Sequence, residues 1–208
     1  SVGESEILQT ARLARDSRRL DFITEVQWRE KRKMLRVSFP ADYESPEASF
    51  DIPYGYCKRS THRSDSMDAA KFEVMLHRYM DFSDAEYGTA LLNDCKYGGK
   101  VFEKTLDLTL LRAPLYPDPE TDRCKHRFTY SFLPHKNALP KSDVMDQAAM
   151  LNRAPCFFQG YSGTSKSLFT LESGGIIIGA IKKAEKNNDL IIRLVETKGE
   201  CSTGVFSF

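Results

Sequence analysis

The sequence predicts an all-β chain, an antiparallel sandwich followed by a smaller β-sheet region. Three observations predict it. Short apolar runs recur along the chain, each bounded by Pro, Gly, Asn, Asp or Ser clusters that punctuate strands. No long helical pattern separates them, as the crossovers of a parallel sheet would require. At 208 residues with 41% hydrophobic content, the chain can bury a core without a covalent staple.

The elements follow in order. "SVGESEILQTARLARDSRRL" carries Arg12, Arg15, Arg18 and Arg19 with few apolar residues and no interleaved aromatics. It reads as a solvated lead-in, residues 1–20, rather than as a nucleic-acid arm. In "LDFITEVQW", Phe22, Thr24, Val26 and Trp28 alternate with polar neighbours, and after the charged turn "REKRK" comes "MLRVSFP". Residues 20–40 therefore read as a hairpin. Further strands are expected at 48–57, 71–82, 87–93, 104–114 and 126–135. "SDVMDQAAMLNR" (142–153) is the helical candidate, with Val144, Ala148 and Leu151 on one face behind a Ser/Asp cap. The main sandwich is placed at 21–150. A smaller region, 151–208, holds "LFTLE", "GIIIGAIKKA", "DLIIRLVET" and "GVFSF". The chain opens on Ser1 and stops at Phe208 inside a strand-like run, which suggests a fragment of a longer protein.

Bulk properties exclude several partners. Lys and Arg number 30 against 29 for Asp and Glu, so nothing global points to nucleic acid or an anionic membrane. No apolar run approaches the ~20 residues of a membrane span, and no signal-peptide pattern opens the chain. Cys57, Cys95, Cys124, Cys156 and Cys201 are odd in number, irregularly spaced and without a C-x-x-C pair. Free thiols of a reducing compartment fit that usage, so the cytoplasm is the expected location.

Motifs for chemistry are sparse. His62, His77, His126 and His135 are scattered, and only Cys124 and His126 stand close together as soft ligands, half of what a structural zinc needs. "GYSGTSKS" (160–167) lacks phosphate-loop spacing and reads as a loop. No nucleophile signature is present. Two stretches resist a purely structural account. In "KFEVMLHRYMDF", His77 and Arg78 interrupt an apolar strand. In "ALLNDCKYG", a buried run gives way to Asn93, Asp94, Cys95, Lys96 and Tyr97. An Arg beside buried positions is costly unless an acceptor answers it. An ion pair of Arg78 with Asp81 or Asp94 is one account. Recognition of sugar hydroxyls by Arg, Asn and Asp, with Tyr stacking on the ring, is another.

"RSTH", "KFEV", "ALLNDCKYG", "LLRAP" and "HRFTYSFLPH", in this order, resemble the C-terminal β region of glycoside hydrolase family 38, the α-mannosidases, in its cytosolic and bacterial branch. The likeness is strong from Leu20 to His135 and weaker beyond. It implies a galactose-mutarotase-like supersandwich with a smaller sheet behind it. It implies removal of α-linked mannose with retention by a carboxylate nucleophile, a second carboxyl as acid/base and a zinc ion, all carried by an α/β catalytic domain that precedes this region. No catalytic residue and no metal ligand is then expected here. The implied partners are that catalytic domain of the same polypeptide and a mannose-containing oligosaccharide, with self-association left open. Arg78 is the residue expected to reach the sugar site, and Asn93, Asp94 and Tyr97 are expected at the substrate or at the domain interface. A standalone carbohydrate-binding module is the alternative, weakened because the single Trp, Trp28, sits in a strand and offers no stacking platform.

Overall fold

The computed structural model describes residues 3–160, 163 and 167–208. Residues 161, 162 and 164–166, most of the expected loop "GYSGTSKS", lie outside the described residues. The chain divides into two compact units, Ser1–Ile52 with Tyr56–Ala154, and Pro53–Gly55 with Pro155–Phe208.

The first unit is the sandwich. Its strands are β1 (Glu6–Leu13), β2 (Leu20–Gln27), β3 (Met34–Pro40), β4 (Glu47–Ile52), β5 (Gly55–Ser60), β6 (Val74–Met75), β7 (Tyr79–Ser83), β8 (Tyr87–Asn93), β9 (Gly98–Phe102), β10 (Thr105–Arg112) and β11 (Lys125–Lys136). Two helices join them, α1 (Ser66–Ala70) and α2 (Val144–Asn152). A seven-stranded sheet runs in the order β1-β2-β11-β8-β7-β4-β5, and a four-stranded sheet in the order β3-β10-β9-β6. One apolar cluster joins the two. It takes Val26, Phe50, Met80, Phe82, Leu91 and Phe128 from the first sheet, and Val101, Leu106, Leu108 and Leu111 from the second.

The other face of the large sheet is covered too. Tyr79, Ala90, Leu92 and Leu133 pack with Leu139, and with Val144 and Ala148 of α2. Because side chains alternate across a strand, β7, β8 and β11 send successive residues into different cores. That is why "ALL" of residues 90–92 reads as a continuous apolar run rather than an alternation. Val144 and Ala148 lie one turn apart on the buried side of α2, as expected, and Leu151 is half-buried beside them. Of the expected Ser/Asp cap, the serine supplies the bond: Ser142 Oγ accepts the Val144 N–H at 3.3 Å. Asp143 makes no cap bond to the first turn; its two oxygens each stand 2.9 Å from Arg18 Nη2.

Several expectations are corrected. The lead-in is solvated, as expected, but it is itself a strand: Glu6–Leu13 forms β1, paired with β2 from Glu6↔Gln27 to Leu13↔Leu20. It is an edge strand with only Ile7 packed against the core, so its exposed side chains carry no apolar pattern. Residues 20–40 are not a hairpin. β2 pairs with β1 and β11, whereas β3 pairs with β10 in the opposite sheet. The "REKRK" segment carries the chain across the sandwich, anchored by buried Glu30, whose Oε1 accepts the Glu4 N–H at 2.7 Å. Residues 48–57 split into β4 and β5 at Pro53 and Tyr54, the latter with φ of 62°. Residues 71–82 split into β6 and β7, which belong to different sheets.

The second unit holds β12 (Thr170–Ser173), β13 (Ile176–Lys183), β14 (Leu190–Glu196) and β15 (Gly204–Ser207). β12 pairs with β15 and β13 with β14, both antiparallel. The expected turn "KKAEKNND" joins the latter pair, closed by the Ala184 N–H donating to Asp189 O at 2.9 Å.

Within the large sheet, His135 of β11 and Asp81 of β7 form a fully buried pair with Nε2 and Oδ1 2.6 Å apart. Ser83 Oγ donates to the other Asp81 oxygen at 2.6 Å. Burial alone would lower the His135 pKa, but Asp81 more than offsets it and the net shift is upward from 6.5. A raised folded-state pKa contributes stability that is complete below the unfolded value and is lost as pH rises through the folded one. The melting temperature of the chain is therefore expected to fall as pH rises above 6.5. Asp81→Asn should flatten that slope. A pH-independent melting temperature across this range, measured by scanning calorimetry, contradicts the coupling.

Candidate functional site

Where β8 ends, the chain concentrates polar groups around one cleft of about 220 Å³, lined by His77, Arg78, Asn93, Asp94, Tyr97 and Asn152. All four residues singled out in the sequence, Arg78, Asn93, Asp94 and Tyr97, meet there. Three elements position them. His77 and Arg78 immediately precede β7, Asn93 to Tyr97 run from the last residue of β8 through the following turn, and Asn152 closes α2.

Arg78 is held by a residue that the sequence reading missed. Its Nε donates to Asp51 Oδ2 at 2.9 Å and its Nη2 to Oδ1 at 3.0 Å, while the backbone N–H of Arg78 donates to Oδ2 at 2.8 Å. The partner is thus Asp51 of β4, not Asp81 or Asp94. Asp51 is 1% exposed and Arg78 about one-third exposed, so the fork–fork pair joins a buried anion to a cation at the surface. The Asp51 bond raises the Arg78 pKa against the opposing effect of burial. A signal for Asp51 was present in "ASFDI", where an acid sits alone in an apolar strand and demands a cation.

Asn93 is a structural hub at 1% exposure. Its Nδ2 donates to His77 O at 2.8 Å and its Oδ1 accepts the Lys96 N–H at 2.6 Å. Its backbone N–H donates to Arg78 O at 2.9 Å, and its carbonyl accepts from Asn152 Nδ2 at 3.0 Å. Asp94 caps the neighbouring strand, with Oδ2 accepting the Thr129 N–H at 2.9 Å and Oδ1 accepting from Cys95 Sγ at 3.0 Å. Partial desolvation and the Asp94 carboxylate push the thiol of Cys95, an exposed residue, up to about 11. Lys96 lays its ammonium 4.2 Å from the Phe128 ring centroid. The polar groups that end β8 are thus answered largely within the chain. Tyr97 is the exception: it is 60% exposed, with its ring edge-on to His77 at 5.9 Å. The cleft therefore offers an oriented guanidinium, an imidazole and an exposed phenol ring, a set suited to hydroxyls and a sugar face.

Zinc does not fit the residues present. Among the described residues no three His, Cys, Asp or Glu side chains converge on a common point. The Cys124–His126 pair stands 3.5 Å apart, and the same His126 Nε2 lies 2.8 Å from the carbonyl of Asp122. All five cysteines are free, and no helix of the described residues is long and apolar enough to cross a membrane.

The family model "Glycosyl hydrolases family 38 C-terminal domain" matches residues 1–120. The chain belongs to glycosyl hydrolase family 38. It is 41% identical over 184 residues to Alpha-mannosidase 2C1 of Homo sapiens, a match covering 86% of this chain and 18% of that protein. It is 35% identical over 211 residues to Alpha-mannosidase G of Dictyostelium discoideum, covering 99% of this chain and 19% of that one. The chain thus spans about a fifth of the length of the curated relatives it matches. Among solved structures, a family 38 protein from Enterococcus faecalis superposes with a TM-score of 0.81 at 19% identity, covering 98% of this chain and 25% of that one. An alpha-mannosidase from Enterococcus faecalis V583 superposes at 0.78 with 22% identity, covering 91% and 23%. These likenesses extend the family's fold over nearly the whole chain.

The bonding pattern separates the roles of Asn93, Arg78 and Tyr97. Asn93→Ala leaves the His77 carbonyl and the Lys96 N–H unanswered beside the core and should cost about 2 kcal/mol. Arg78→Ala strands buried Asp51 and should cost roughly 3 kcal/mol. Tyr97→Ala should stay within about 0.5 kcal/mol of the parent. Urea unfolding of the three variants checks the order, and an Asn93→Ala protein as stable as Tyr97→Ala contradicts it.

Proposed function

We propose that this chain is the β-sandwich part of an α-mannosidase, packing against an α/β catalytic domain of the same polypeptide and lending its cleft to the rim of the sugar site. The observation that carries this reading is the convergence, in a family 38 chain, of Arg78, Tyr97 and His77 on one open cleft whose buried neighbours are satisfied internally. Asp51 fixes the Arg78 plane by engaging Nε and Nη2, leaving Nη1 without an acceptor among the described residues. A guanidinium held this way can donate to a hydroxyl of a mannose-containing oligosaccharide without first being ordered.

On this reading the nucleophile, the acid/base carboxyl and the zinc belong to the catalytic domain, and the whole enzyme works in the cytoplasm. Asp94, which lines the cleft, and Asp51, which holds Arg78, are already committed to the Thr129 N–H and to Arg78 respectively. A hydrolytic pair would need both carboxyls free to flank a glycosidic bond. A standalone sugar-binding module is disfavoured, because Trp28 is 1% exposed and offers no platform.

Two measurements test the proposal. The 208-residue chain should release no mannose from α-mannosides; turnover by the chain alone overturns the reading. In the complete enzyme, Arg78→Lys and Tyr97→Ala should each lower kcat/KM for α-mannosides about tenfold or more. Unchanged kinetics in both variants removes the cleft from the sugar site.

A further inference from the structure

A second cleft lies elsewhere on the sandwich, between the end of β5, the loop carrying α1, and β9. It is lined by Arg59, His62, Arg63, Asp68, Lys71 and Lys100, over the apolar floor of Phe50, Val101 and Phe102. Four cations face one carboxylate, and that carboxylate, Asp68, is already engaged by Lys71 at 2.8 Å. Lys100 reaches Asp107 at 3.4 Å. Neither arginine has an ion-pair partner among the described residues. The Arg59 guanidinium lies 5.9 Å from the Phe50 centroid, and its buried Nε–H has no acceptor among the described residues. The Arg63 guanidinium lies 4.7 Å from the Phe102 centroid and 5.7 Å from that of Phe72. Both guanidiniums lie over aromatic rings, contacts that do not consume their N–H donors. Such a concentration of positive charge is unexpected in a chain of net charge +1.

We propose that this cleft binds a small tetrahedral oxyanion of the phosphate or sulfate class. Three observations select the ligand. The cleft offers about 30 Å³, room for the oxygens of one compact anion and not for a sugar ring. The donors come from separate elements: Arg59 on β5, Arg63 and Lys71 on either side of α1, and Lys100 on β9. Donors arriving from several directions match oxygens spread over a tetrahedron better than the two coplanar oxygens of a carboxylate. Neither the Arg59 nor the Arg63 guanidinium is engaged by a carboxylate among the described residues, and terminal guanidinium N–H groups left in this way are donors an oxyanion can accept from. Occupancy would tie the loop around α1 to β5 and β9, and so to both sheets.

The probe is inorganic phosphate, titrated calorimetrically into the 208-residue chain at low ionic strength. Saturable one-to-one uptake is expected, competed by sulfate and not by chloride at equal ionic strength. Arg63→Gln should weaken uptake about tenfold, the loss of one charge-assisted contact. Arg63 is exposed, so the circular dichroism of that variant should match the parent. Arg59→Met should weaken uptake at least as much; if that variant does not fold, Arg63→Gln alone decides. Absence of saturable uptake in the millimolar range overturns the proposal, as does undiminished uptake by folded Arg63→Gln. Competition by acetate as effective as by sulfate would make the cleft a seat for acidic side chains and overturn the assignment to a tetrahedral anion.

Discussion

The first unit depends on three strands that are buried on both faces. β7, β8 and β11 send Met80, Phe82, Leu91 and Phe128 into the space between the sheets, and Tyr79, Ala90, Leu92 and Leu133 beneath α2. Two-sided burial leaves such strands no solvent face on which to carry function, so chemistry is confined to their ends and to the loops that follow. The cleft at the end of β8 is where that constraint places His77, Arg78, Asn93, Asp94 and Tyr97 together. Where polar groups do enter the double-sided region, as with Asp81 and His135, they are paired at 2.6 Å.

The same constraint explains why a surface arginine is tied to a buried aspartate. β4 lies beside β7, and Asp51 at its end is enclosed by the sheet. An isolated carboxylate there would carry an uncompensated desolvation cost. Arg78 supplies the compensating charge, and Asp51 in turn answers three donors of that one residue, two from the guanidinium and one from its backbone. What looks like a costly arginine in an apolar strand is the solution to a costly aspartate in another.

The sequence made strands legible wherever alternation or a bounded apolar run was strong, as in β2, β8, β10 and β11. It failed where position in the sheet outweighed pattern. β1 is an edge strand held by its backbone ladder, so Arg12 and its exposed leucines show no period. The β2–β3 pair was misread because local alternation cannot say whether the next strand continues the same sheet or crosses to the other. At the site, the anomaly of Arg78 and the polar end of β8 were legible residue by residue, and the four residues do share one cleft. The identity of the Arg78 partner was not. Asp51, Asp81 and Asp94 are equally good acceptors by composition, and only the pairing of β4 beside β7 selects the first. Asn152 was invisible for a similar reason, since its contact with Asn93 spans 59 residues of sequence.

The internal bonding of the β8 end also changes what its polar residues are for. Had Asn93 and Asp94 been left unanswered, they would have pointed to a partner needed to complete the fold. Instead Asn93 bonds to two backbone groups through its side chain alone, and Asp94 holds the Thr129 N–H of β11. A turn fixed by its own hydrogen bonds presents Tyr97 and Arg78 in a set geometry before anything approaches them. Binding energy then need not be spent ordering them, which is the physical advantage of preorganisation. A rim assembled in this way is suited to lending side chains to a neighbouring site, because its shape is decided by the sandwich behind it.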